Sequence, residues 1–190
     1  MKTRFRFAAL AAVLALVVGS AYAAATVSST INVQIQSTLA NTVGLSTATA
    51  PISKALTLSL ASGTGASQAD RIYTESAKSV AASGTYALDL AGSLTDALGG
   101  AFTPAKVKCV GVFASSSNTN NVLVGGDTNN VPIFADKTDK AVVKPGGVFL
   151  QCGPGTGDTV TAGTGDILLF TNSAAGTAVV FDIIVIGTSS

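Results

Sequence analysis

The chain contains no histidine and no tryptophan, one methionine and two cysteines, and only 11% of its 190 residues are charged, against about 25% in an average soluble domain. Without an imidazole, Ser-His-Asp hydrolysis, most zinc sites and haem ligation are excluded at the outset. Carboxylates are also few, one Glu and nine Asp, and glycoside hydrolysis needs two of them facing one cleft. A sugar platform is missing as well, because after residue 23 only Tyr73, Tyr86 and six Phe remain, and a hydrophobic core accounts for all of them. The expectation is a non-enzymatic protein with no catalytic residue, no cofactor and no small-molecule substrate.

The N-terminus carries the clearest positive signal. Lys2, Arg4 and Arg6 precede the 11-residue apolar run from Ala8 to Val18, and Ala21-Tyr22-Ala23 follows as a small-x-small cleavage site. Together these form a secretory signal peptide over 1–23. Spanning a bilayer takes about 20 apolar residues, more than this run offers, and no cysteine follows the cleavage site to carry a lipid. The expected location is secreted, extracellular or at the cell surface, with membrane contact only through the cleaved peptide.

Cleavage removes three of 11 basic residues and none of the 10 acidic ones, leaving 8 against 10 and a net charge of −2. The remaining basic residues are scattered apart from the loose groups Lys106/Lys108 and Lys137/Lys140/Lys144. No aromatic side chains interleave with them, which argues against a nucleic-acid platform. Sparse charge with abundant Ser, Thr and Gly suits subunits that pack on one another, because few charges must be desolvated at the contact. The partner this composition suggests is another copy, in a homo-oligomer or homopolymer.

Periodicity divides the mature chain in two. Ile31, Val33 and Ile35 alternate with Asn32, Gln34 and Gln36, and Leu56, Leu58 and Leu60 alternate with Thr57 and Ser59, the pattern of half-buried strands. Between them, around Asn41 to Ser53, no clear period is visible, and Gly63-Thr64-Gly65-Ala66 marks a break. We read 24–65 as an N-terminal strand-like arm and 66–190 as a β-domain. In the domain, Arg71 to Glu75, Thr85 to Leu90, Lys106 to Ala114, Asn121 to Val124, Ala141 to Val143, Val148 to Cys152, Ile167 to Thr171 and Ala178 to Ile186 are short runs rich in β-branched residues, bounded by Asn, Gly, Pro and Ser. Many short strands without a long amphipathic helix define an all-β sandwich or barrel. Ser93 is placed to cap one helical turn over Leu94 to Leu98, and Ser115 to Asn120 is expected to close a hairpin.

The remaining motifs have plain structural readings beside sharper ones. Gly153-Pro154-Gly155-Thr156-Gly157-Asp158 has the glycines of a phosphate cradle but neither the Gly-Lys-Ser/Thr ending nor a helix after it, so turn chemistry is the better account. Asp127, Asn129, Asn130, Asp136, Asp158 and Asp166 fall in loop-like positions where oxygen ligands would suit calcium, yet no EF-hand or nonapeptide pattern links them, and solvated turn carboxylates explain them. Cys109 and Cys152 lie in separate strand candidates 43 residues apart. In an exported protein the default is one disulfide between them, worth about 4 kcal/mol on the chain-entropy model. Two buried free thiols or a redox pair are the alternatives, and the latter lacks Cys-x-x-Cys spacing.

A series of turns and strands over Ala69 to Ser190 carries a resemblance. Ala69-Asp70-Arg71-Ile72-Tyr73, Tyr86-Ala87-Leu88-Asp89-Leu90-Ala91-Gly92 with Leu94-Thr95-Asp96-Ala97, Val107-Lys108, Asn118-Thr119-Asn120-Asn121-Val122, Lys144-Pro145-Gly146-Gly147, Ala162-Gly163-Thr164-Gly165-Asp166 and Asp182-Ile183-Ile184-Val185-Ile186-Gly187-Thr188 resemble a family of small tailed-phage virion structural proteins, decoration-like or fibre-like. The resemblance implies a jelly-roll-like antiparallel β-sandwich that decorates or builds a particle, and this chain adds a signal peptide and a cysteine pair to it. Two functional expectations follow. One is a secreted subunit that self-assembles into an extracellular fibre or coat, with Ile31, Val33 and Ile35 in an assembly arm that adds as a strand to a neighbour's sheet, the arm's other reading being an edge strand folded back on its own sandwich. The other is a phage virion decoration or fibre protein.

Overall fold

The computed structural model describes residues 26–190; the signal peptide and the first residues of the arm lie outside the described residues. The chain first forms β1 (Ser29–Val43), β2 (Ser46–Ser62) and β3 (Gln68–Ala69). Next come β4 (Arg71–Val80), β5 (Thr85–Asp89), β6 (Leu94–Thr95), β7 (Ala101–Phe102), β8 (Lys106–Ala114) and β9 (Val122–Gly125). The last are β10 (Lys140–Val143), β11 (Val148–Cys152), β12 (Asp158–Thr159), β13 (Ile167–Asn172) and β14 (Val179–Thr188). The protein is all-β, as its sequence predicts.

Two antiparallel sheets make the sandwich. One has the order β11-β8-β14-β4, with β12 pairing β8; the other has the order β10-β9-β13-β5. Alternation within the strands sends one face of each sheet inward: Val110 and Val112 of β8 and Phe181, Ile183 and Val185 of β14 meet Leu88 of β5, Val122 and Val124 of β9, and Leu168 and Phe170 of β13 in one buried cluster. Phe170 and Phe181 join the layers, their ring centroids 5.0 Å apart. Burying each of these side chains contributes roughly 2–3 kcal/mol. The apolar β14 sits between β8 and β4, where a strand with both sides occupied belongs. Near its end, Gly187 approaches the backbone so closely that a Cβ would lie 2.5 Å from the Lys106 carbonyl oxygen.

Two local expectations are corrected. Ser115 to Asn120 does not close a hairpin, because β8 and β9 lie in different sheets. The Asn118 side chain instead bonds across to the β14 backbone, donating to the Val180 carbonyl at 2.9 Å and accepting the Val180 N–H at 2.8 Å, so the segment bridges the layers. Leu94 to Leu98 forms no helical turn. Asp96 Oδ1 accepts the N–H groups of Leu98 and Gly100, an Asx-turn that reverses the chain between β6 and β7.

The two strands read in the arm pair with each other as one ribbon. β1 and β2 pair antiparallel without interruption from Ser29 opposite Leu60 to Val43 opposite Ser46, straight through the segment that lacks a visible period. Gly44 and Leu45 make the turn, and Gly44 has φ +62°; glycine with positive φ first and an ordinary residue second suits a tight II′ hairpin. At about 3.4 Å per residue the ribbon is on the order of 50 Å long. Only its base touches the sandwich: Val27, Leu60, Ala69, Cys109 and Ile186 form a second buried cluster, with Ile31, Ile72, Cys152 and Ile184 packed against it.

Candidate assembly surface

Residues directly opposite in an antiparallel pair share a face, so the register divides the ribbon chemically. On one side stand Ile31/Leu58, Val33/Leu56, Ile35/Lys54, Ser37/Ile52, Leu39/Ala50, Asn41/Ala48 and Val43/Ser46; on the other stand Asn32/Thr57, Gln34/Ala55, Gln36/Ser53, Thr38/Pro51, Ala40/Thr49 and Thr42/Thr47. The ribbon is thus amphipathic from its base to Leu39/Ala50 and mixed nearer the turn, and its apolar side is bare: Ile35 is 62% exposed, Leu39 70% and Ile52 60%. An isolated two-stranded hairpin is marginal in water, which makes this exposed apolar stripe the candidate contact surface of the molecule. Within it, the three residues expected to form the assembly arm have different roles. Ile31 is half-buried and anchors the base, Val33 stands where the ribbon leaves the body, and Ile35 projects into solvent.

Beneath the base of the ribbon a groove of about 660 Å³ opens against the outer face of the five-stranded sheet. Ile31 and Val33 line one side, and Ile72, Phe113, Val148, Leu150 and Ile184 the other. Outward alternation brings those side chains together, with Phe113 of β8 opposite Val148 of β11 and Asp182 of β14. Val148 is 58% exposed, and Phe113 and Leu150 are each 39% exposed. No lining residue is charged. Asp182 is exposed and accepts the Ala77 N–H at 2.7 Å beside the bulge in β14.

Cys109 and Cys152 are directly opposite on β8 and β11 and form a disulfide. It lies below the ribbon base and ties the edge strand carrying Val148 and Leu150 to the sheet. The glycine-rich loop that follows is turn structure: the buried Lys108 extends into it and donates to the Gly155 carbonyl at 2.7 Å. Burial, with Lys106 nearby, lowers the Lys108 ammonium from its ordinary value. Pro154 in turn accepts the Ser67 N–H at 2.8 Å, which links this loop to the end of the ribbon.

The loop carboxylates weighed as calcium ligands each serve a turn of their own. Asp127 caps the Asn129 N–H, Asp136 takes both the N–H and the hydroxyl of Thr138, and Asp166 Oδ2 takes the Gly163 N–H. Among the described residues no three His, Cys, Asp or Glu side chains gather as metal ligands. A polar cluster that sequence reasoning missed lies between the edge strands β4 and β5. Glu75 Oε2 accepts the hydroxyls of Tyr73 at 3.0 Å and Tyr86 at 2.8 Å, and Oε1 pairs with Lys78 at 3.0 Å. Lys78 also lies 3.4 Å over the Tyr86 ring. Burial raises the Glu75 carboxyl, but Lys78 and the two hydroxyls outweigh it and hold it below its ordinary value. Burial and the Glu75 bond push Tyr86 well up, and burial raises Tyr73. With each carboxylate oxygen engaged, the cluster works as a clamp between the sheet edges.

No family model, curated protein or solved structure matches the chain. Among the described residues no helix is long and apolar enough to cross a membrane.

Proposed function

We propose that this protein is a non-enzymatic structural subunit, secreted and self-assembling into an extracellular fibre or coat through its N-terminal ribbon. The observation that carries the reading is the ribbon itself, 15 paired positions long with an apolar face that its own chain leaves uncovered. Secretion is supported by the three-part signal at 1–23 and by the disulfide, which belongs to an oxidising compartment. Because both strands of the arm are already paired to each other, a neighbour receives a ribbon face rather than a lone donated strand. Electron microscopy of chain 24–190 purified without reductant tests the proposal: regular filaments or sheets are expected, and dispersed monomers would overturn it.

A virion decoration or fibre role is the second reading. Numbering the eight sandwich strands in chain order gives sheets 1-8-3-6 and 2-7-4-5, the order that double Greek-key winding produces. That supports a jelly-roll reading and with it the resemblance over 69–190. Recovery of the chain in purified virions, with none assembled at the cell surface, would favour this role over the first.

A further inference from the structure

We infer that the groove is filled by the ribbon of a second copy, laid with its apolar face on the outer face of the neighbour's five-stranded sheet. The inference rests on the self-assembly reading and adds which two surfaces meet. One is the distal ribbon, where Ile35, Leu39, Val43 and Ile52 are exposed on one side; the other is the patch of Phe113, Val148 and Leu150. Ribbon-on-ribbon pairing would cover the first and leave the second in water. A ribbon laid on the sheet covers both, in the aligned face-to-face packing that β-layers favour.

Charge supports the same occupant. Lys54, opposite Ile35, is the only charged residue in the ribbon, and Asp182, in register with Phe113, stands at the rim of an uncharged groove. The ion pairs of the described residues are Arg71–Asp70 and Lys78–Glu75, so Lys54 and Asp182 are both open to a pair across the contact. The free ribbon face from Ile35 to Val43, about 30 Å by 10 Å, offers roughly 300 Å² to each partner, below the size of a standard interface, so a single contact is weak and holds by repetition along the assembly. Since the two surfaces differ, the contact is heterologous and leaves a free ribbon at one end and a free groove at the other, so it propagates into a filament or closes a ring.

Photo-crosslinking tests the docking. Leu39 is replaced by a benzophenone amino acid in full-length secreted protein, isotope-labelled and unlabelled chains are mixed, and cross-linked peptides are read by mass spectrometry. Intermolecular cross-links to peptides holding Phe113, Leu150 or Ile184 are expected. Cross-links to another copy's residues 29–62, or within one chain, would overturn the docking while leaving self-assembly intact; a wild-type protein that never assembles would remove both. As a second measure, Lys54→Glu is expected to raise the concentration needed for assembly about tenfold at low salt, with the effect shrinking as salt rises. An unchanged threshold, with the same Tm, would contradict the Lys54–Asp182 pairing.

Discussion

Asp158 and Glu75 show how differently two carboxylates can be treated in one fold. Asp158 has a buried Oδ2 without a hydrogen-bond partner, and burial raises its carboxyl above the ordinary value. The folded chain therefore holds that proton more tightly than the unfolded one, and stability falls as pH rises from the unfolded value of about 4 through the raised folded one. Asp158→Asn should raise Tm near pH 7 and leave it unchanged at about pH 2.5, where both forms are neutral; thermal melts at the two pH values check it, and a drop near pH 7 would contradict it. Glu75 has the opposite sign. Its carboxyl is held below the ordinary value, so its contribution is present above the unfolded value and is lost as pH falls through the folded one. Glu75→Gln should lower Tm near pH 7, with the difference from wild type closing in acid. Neither environment was legible in the sequence, since Glu75 meets Tyr86 from another strand and Asp158 is desolvated by a fold that its own neighbours do not specify.

At the scale of elements, sequence pattern worked wherever one face of a strand is buried by the chain itself. The runs at Lys106 to Ala114, Val148 to Cys152 and Ala178 to Ile186 coincide with β8, β11 and β14 within one or two residues, because burial forces an apolar side chain at every second position. The distal ribbon escaped notice for the converse reason. From Asn41 to Ser53 its exposed face mixes Ala, Ser and Ile, and a strand held by backbone pairing alone leaves little hydrophobic period. The missed crossing at Ser115 to Asn120 has a topological cause: a polar Ser-Asn segment reads alike whether it reverses a hairpin or passes between layers. The cysteine pair was legible, and the disulfide it forms ties β11 to β8. Cys109→Ser with Cys152→Ser should lower unfolding free energy by about 4 kcal/mol on the chain-entropy model. Denaturant unfolding without reductant measures it, and a loss below about 1 kcal/mol would mean that sheet pairing alone fixes β11.

As a whole molecule, the protein is a closed sandwich with an open appendage. Its main core is complete without the distal ribbon, since none of the residues from Val33 to Leu56 belongs to either buried cluster. Changes out there should therefore alter association and spare folding, a separation that a merely structural hairpin would not give. Leu39→Asp with Ile52→Asp places two carboxylates in the middle of the bare face, where desolvating them in a contact would cost several kcal/mol, while both stay in water in the monomer. The direct test is sedimentation velocity of chain 24–190, wild type beside this double variant, over a range of concentrations. The account predicts large, concentration-dependent species for the wild type and monomers with an unchanged Tm for the variant; equal assembly by both would contradict the claim that the ribbon joins the subunits.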